Sequence, residues 1–168
     1  LGNLAPVARD LVVEKMPDGM IVLDAQGNIV DLNPALQKAL GVSATQAIGQ
    51  QSKDLFRAWP QLVERYEHTL EAQDEISLGE GESQTWLELR MSPLVDSQNR
   101  LLARVVTVRD ITEKRQTEEA LRLSEERYRN IYENVADVIY ETDNQGHLTS
   151  ISPSVQRRSG YMPEELLG

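Results

Sequence analysis

Apolar residues along this chain fall in short bursts whose spacing switches from two to about four and back again. Gly19-Met20-Ile21-Val22-Leu23 is one such run and Ile29-Val30-Asp31-Leu32 the next, with Asp24-Ala25-Gln26-Gly27 between them. Two runs around an Asp and a Gly predict a β-hairpin, Gly27 taking the positive φ that short loops require. Asn33-Pro34 then offers a side-chain acceptor followed by proline, the pattern of a helix start, and Gly41 stands where a left-handed stop belongs. Ser43 and Gln46 have capping-box spacing for a second short helix ended by Gly49. Residues 59–72 place Leu62, Val63, Tyr66 and Leu70 on one helical face. The period then returns to two. Residues 75–78 read as a short strand, and from Trp86 to Met91 the residues Leu87, Leu89 and Met91 share one face while Trp86 points away. Residues 96–99 form a turn, and residues 101–108 are a strand rich in β-branched side chains. Strands on both sides of a helical middle imply an α+β fold, an antiparallel sheet with helices on one side.

The opening pattern recurs. Residues 12–49 align without a gap on residues 131–168 at a constant offset of 119, pairing Glu14 with Glu133, Asp18 with Asp137, Asp24 with Asp143 and Gly27 with Gly146. Pro34 and Pro153, Gln37 and Gln156, Gly41 and Gly160, and Gly49 and Gly168 also match. A period this long means one folding unit in tandem rather than a solenoid. In the second copy Ser152-Pro153 is the expected helix cap, while Met162 replaces Ser43 and is expected to lose its cap. That copy stops at Gly168, so it is expected to be cut off mid-domain. Without its later strands it should be mobile, domain-swapped or supported by a neighbouring chain.

Between the copies, residues 112–135 contain neither Gly nor Pro. Thr117, Leu121, Ser124, Tyr128, Ile131 and Val135 recur at spacings of four and three, a heptad seam. Glu118 with Arg122 and Glu125 with Arg129 are spaced as i,i+4 ion pairs. Two readings are open: a charged surface helix folded back on its own domain, or a parallel two-stranded coiled coil. Thr117 and Ser124 would make the latter seam weak, suited to an element that shifts register or rotates.

Composition narrows the function. The net charge is −10, which argues against direct nucleic-acid binding. No cysteine is present, so disulfides, thiolate metal sites and cysteine nucleophiles are excluded together. No run approaches the roughly 18 apolar residues of a membrane-spanning helix. The chain begins with Leu rather than Met, and the expectation is a soluble piece of a longer protein. There is no Gly-rich phosphate loop, no His/Asp/Ser constellation and no kinase nucleotide-binding signature, so no enzymatic activity is expected of this segment.

The stretch MPDGMIVLDAQGNIVDLNPA, followed by ALGVSATQAIG and by a strand ending VRDITEKR, resembles a PAS domain, a small sensor module. SEERYRNIYENVADVIYETDNQG through YMPEELLG resembles the first third of another. The resemblance implies a five-stranded antiparallel sheet flanked by helices, an N-terminal cap helix and a C-terminal signalling helix. It divides the chain into a cap or upstream linker (1–14), a first domain (15–112), a helical linker (113–134) and the start of a second domain (131–168). Asp110, Ile111 and Thr112 match the family's signal-relay junction. The leading Leu1 to Asp10 is similar to the join between a seven-helix membrane region and the first PAS unit of some bacterial sensor histidine kinases. It is equally an amphipathic cap helix with Leu4, Val7, Ala8 and Leu11 packed on the sheet.

The resemblance implies a cytoplasmic, homodimeric sensor from a multi-domain bacterial signalling protein, a two-component sensor histidine kinase foremost, with downstream PAS and kinase domains as its partners and a membrane anchor conceivable for the parent. A diguanylate cyclase parent, a haem or flavin sensor of redox state or gas, and a ligand-free dimerisation module are the alternatives. Family members that bond a flavin to cysteine are excluded by composition, and no other cofactor is implied. Ile21, Leu23, Leu36, Leu40, Leu55, Leu62, Tyr66, Leu70, Leu87, Leu89 and Met91 could line a pocket for a small-molecule ligand or simply fill the core. His68 is expected off the buried stripe and exposed, His147 exposed in its turn, and Trp59, Trp86 and Tyr66 are read as core or interface aromatics rather than a flavin stack.

Overall fold

The computed structural model describes residues 4–167. It divides into two compact units, residues 1–113 and 114–168. In the first, helix α1 (Leu4–Lys15) leads into β1 (Gly19–Asp24) and β2 (Ile29–Leu32). Helices α2 (Pro34–Leu40), α3 (Ala44–Ala47), α4 (Ser52–Leu55) and α5 (Pro60–Tyr66) follow, then β3 (Ala72–Leu78), a 3₁₀ turn, β4 (Thr85–Val95) and β5 (Leu101–Asp110). The sheet is antiparallel throughout, in the order β2-β1-β5-β4-β3. The α+β expectation with five antiparallel strands holds.

Register decides which side chains face the helices. Ile21 opposes Val106, which opposes Met91, and Val108 opposes Leu89. Because cross-strand partners share a face, these residues form one apolar layer. Leu36 from α2 and Tyr66 from α5 close over it, and Ile29, Leu32 and Ile76 complete the buried cluster. The same parity turns charged residues to this face, Asp74 and Arg104 among them. Asp74 opposes Leu89 on one strand, and Arg104 opposes Leu23 and Pro93 on another.

Asn33 ties the hairpin to α2. Its Oδ1 accepts from the amides of Met20 (2.8 Å) and Leu36 (3.1 Å), while its Nδ2 donates to the Asp18 carbonyl (2.8 Å). Capping thus extends beyond the helix itself, which is why this polar side chain is only 2% exposed.

Three hairpin loops share one device. Asp24 Oδ1 accepts from the amides of Gln26 and Asn28, Asp96 Oδ1 from those of Gln98 and Arg100, and Asp143 Oδ1 from those of Gln145 and His147. The fourth residue of each loop has positive φ: Gly27, Gly146 and, in the middle loop, Asn99 at 59°. The Asn28 side chain is the main group holding the Asp24 carboxyl below its ordinary value, and the Arg100 amide is the main one at Asp96. Both folded pKa values therefore lie below 3.8, so this stabilisation is complete above that value and is lost as pH falls through the lower one. Asp24→Asn combined with Asp96→Asn keeps Oδ1 as acceptor for the loop amides, gives up the Oδ2 bonds to Asn28 Nδ2 and Arg100 Nε, and removes the titration. Melting curves from about pH 5 to about pH 2 should show a shallower acid decline for the double variant than for the parent; parallel declines would refute the assignment.

Helix α6 (Thr112–Asn134) starts two residues before the second unit, which continues with β6 (Tyr140–Thr142), β7 (Leu148–Ile151), α7 (Ser154–Ser159) and α8 (Pro163–Leu166). Strands β6 and β7 pair with each other as a two-stranded hairpin.

Several expectations are corrected. Helix α5 ends at Tyr66 rather than near residue 72, and Leu70 is half exposed beyond it. Val7, Ala8 and Leu11 do not pack on the sheet but lie exposed on α1, whose last turn meets the domain where the Val13 carbonyl sits 3.5 Å from Asn33 Nδ2. Leu1 to Asn3 fall outside the described residues, as does Gly168. The Ser152 side chain does not cap α7, because Pro153 itself occupies the cap in a helical conformation and the hydroxyl is used elsewhere. At α8, half of the capping box survives the change to Met162, since Glu165 accepts from the Met162 amide at 2.7 Å.

Candidate functional site

A cavity of about 710 Å³ lies between the sheet and the helices of the first unit. Ile21, Leu23, Leu36, Leu40, Leu62, Tyr66, Leu87, Leu89 and Met91 line it, joined by Phe56, Trp59, Val106 and Val108. Leu55 and Leu70 are not on its wall: Leu55 packs part-buried against the core from α4, and Leu70 points to solvent. Gly19 lets the sheet approach α2, for a Cβ there would stand 3.0 Å from a Leu36 methyl.

The wall is not wholly apolar. Arg104, 5% exposed, donates from Nη1 to the carbonyls of Tyr66 (3.2 Å), Glu67 (3.0 Å) and Thr69 (2.9 Å). These are carbonyls that a longer α5 would have used, and the guanidinium's hold on them explains why that helix stops. Tyr66 in turn donates its hydroxyl to Asp74 at 2.7 Å, and burial is the first cause that raises its pKa to about 12. Arg104 escaped the sequence reading. In residues 101–110 both alternating phases mix apolar and charged residues, so period two alone does not reveal the inner face.

The junction residues are drawn together at the other end of β5. Asp110 lines the cavity, and its Oδ1 accepts from the amide of Thr112, the first residue of α6. Ile111 is 7% exposed, with its amide on the Trp86 carbonyl at 2.9 Å. Thr112 Oγ1 accepts from the Trp86 amide at 2.9 Å. Trp86 itself sits on the opposite face of β4 from Leu87, part-buried.

On α6, Thr117, Leu121, Ser124, Tyr128 and Ile131 are exposed, and Val135, just past the helix end, is part-buried. The expected ion pairs are corrected. Arg122 forks between Glu119 and Glu126, each at 2.6 Å, and Glu118 instead approaches Lys114 at 3.9 Å. The planar guanidinium takes both Glu119 oxygens side-on, a geometry the i,i+4 rule does not describe. No ion pair joins Glu125 to Arg129 among the described residues.

His68 lies beyond α5 at the edge of the cavity with its side chain 93% exposed, beside Glu67. His147 is exposed in its loop beside Asp143. Trp59 caps α5 and meets Phe56 at a centroid distance of 6.5 Å, tilted, so it serves as wall and packing at once. Among the described residues no group of His, Asp or Glu is placed to hold a metal, and no helix is long and apolar enough to cross a membrane.

A family model described as the PAS fold matches residues 13–116, and a PAS domain model matches residues 126–168. The chain belongs to the PAS family. Within it, the signal transduction histidine-protein kinase AtoS of Escherichia coli is 27% identical over 93% of this chain. The chain spans only 27% of that relative's length. Among solved structures, the PAS domain of Bordetella pertussis BvgS superposes with a TM-score of 0.54 at 17% identity, covering 74% of this chain and 98% of that one. A sensory box sensor histidine kinase from Vibrio cholerae gives 0.50 at 12% identity, over 66% and 94%. The structural likenesses speak to the PAS fold alone, while the AtoS likeness makes this a PAS domain that resembles those of sensor histidine kinases.

Proposed function

We propose that the first PAS unit is the sensing module of a multi-domain signalling protein, a sensor histidine kinase of a two-component system, and that a small molecule in the cavity sets the state of a dimeric α6. One observation carries the reading: Asp110 borders the cavity and also holds the first amide of α6. A ligand that displaces the inner face of β5 thereby acts on the helix start, and the likeness to AtoS supports a kinase as the receiver. The segment's part is to bias two arrangements of the helix pair, which need differ by only a few kcal/mol.

The pair is parallel, with Leu121 and Ile131 on its seam. The chain has no cysteine, so Leu121→Cys and Ile131→Cys each introduce a unique thiol. Mild oxidation should give disulfide-linked dimers at both positions. Absence of a dimer at both would sink the parallel pair, and a dimer at one position alone would indicate a crossing rather than a coil.

A further inference from the structure

Arg104 is used on one side only. All three of its hydrogen bonds come from Nη1, and among the described residues no carboxylate is paired with it. No fully enclosed side-chain donor in the described structure lacks a partner, so Nε and Nη2 reach accessible space. That space is the cavity, whose wall includes Arg104. The carbonyls at the end of α5 explain how a buried cation is tolerated. They leave the Nε–Nη2 edge, one of the two edges on which guanidinium binds a carboxylate bidentately, without an acceptor.

Other polar groups gather at the same end. Were Gly27 to carry a Cβ, Gln51 Oε1, Arg104 Nη2 and Ser52 Oγ would all lie within 3.8 Å of it. The missing side chain leaves that volume open beside the guanidinium, and Gly27 is held at φ +83° by the hairpin. Gln51 is fixed by its own amide donation to Asn28 Oδ1. Among the described residues the Ser52 hydroxyl has no hydrogen-bond partner, and it is a second donor for an incoming oxygen. The remainder of the wall is mostly apolar, with Lys53, Glu67, His68 and Asp110 also on it.

We propose that this polar end is a carboxylate-recognition site, and that the cavity takes a small monocarboxylate with an apolar body, its head on the Arg104 Nε–Nη2 edge and Ser52 Oγ and its tail along Leu36, Leu89 and Met91. The inference depends on the cavity being the ligand site. One buried guanidinium matches one negative charge; a phosphate dianion would find no second buried cation, since Lys53 at the rim is exposed. Asp110 lies on the same strand face six residues further along β5, so the head and the helix junction bracket one strand.

Calorimetric titration of the chain with butyrate, octanoate and phenylacetate, each beside its neutral alcohol of the same carbon skeleton, tests this. At least one acid should bind about tenfold more tightly than its alcohol. Gln51→Glu retains Arg104 and its carbonyl anchors while placing a fixed negative charge at the polar end. It should abolish the acid's advantage and leave alcohol binding unchanged, and its melting temperature reads separately the loss of the Gln51 Nε2 donation to Asn28 Oδ1. Arg104→Met should do the same to the acid, and its melting curve reports any loss of fold separately. If acids and alcohols bind alike, the carboxylate site is overturned while the ligand cavity stands. If none of the six binds, both fall together.

Discussion

Asn33→Ala is expected to destabilise the first PAS unit by about 3 kcal/mol, read from chemical denaturation. The cost is large because one amide serves three backbone groups: the Met20 and Leu36 N–H groups and the Asp18 carbonyl. Alanine would leave all three without their partner at a position only 2% exposed. The second copy shows how two of these bonds, those to the amide and carbonyl at the start of the hairpin, are made without an asparagine. Ser152 Oγ accepts from the Ile139 amide at 2.9 Å, and Ser154 Oγ donates to the Asp137 carbonyl at 2.8 Å, the two hydroxyls lying 2.6 Å apart. At the constant offset these are the positions of Asn33, Met20, Ala35 and Asp18. Asn33→Ser alone should therefore remain defective, and adding Ala35→Ser should recover about half of the loss. A double variant no more stable than Asn33→Ser would show that the two copies do not share this solution.

Ile111→Ala should cost about 2–3 kcal/mol, from the loss of a nearly enclosed side chain at 7% exposure. It should also loosen the start of α6, because Ile111 and Thr112 fasten the junction to the Trp86 backbone on β4. Hydrogen exchange should then rise at the amides of Ile111 and Thr112 by more than it rises in β1. A uniform increase would mean that Ile111 contributes only to general stability. Unchanged melting would remove the junction from the relay.

Local backbone chemistry was legible in the sequence, because each signal there acts within a few residues. Asp24 with Gly27, Asn33 with Pro34, and Ser43 with Gln46 announced a turn and two caps, and the folded chain uses them so: Asn33 accepts from Leu36, and Ser43 and Gln46 exchange side-chain and backbone bonds. What remained hidden was set by partners far along the chain. Helix α5 stops where it does because Arg104, 35 to 38 residues later, takes its carbonyls. Leu70 consequently left the apolar stripe that its helical spacing had suggested. Most of the cavity wall was readable from Leu87, Leu89, Met91 and Tyr66, yet its charged end was not. On α6 the charged residues were identifiable, but their pairing followed the shape of the guanidinium rather than spacing.

Strand β5 lies in the middle of the sheet, bonded along both edges to β1 and β4. A strand clamped on two sides does not peel; it moves only as the whole sheet changes its twist. Under the proposed relay, the message reaching the rod is therefore a turn about its axis rather than a pull along it. Torque of that kind is sensitive to angular phase, so rods differing by seven residues stay aligned to within about 20°. The spacing between sensor and receiver is then free to vary in steps of a heptad.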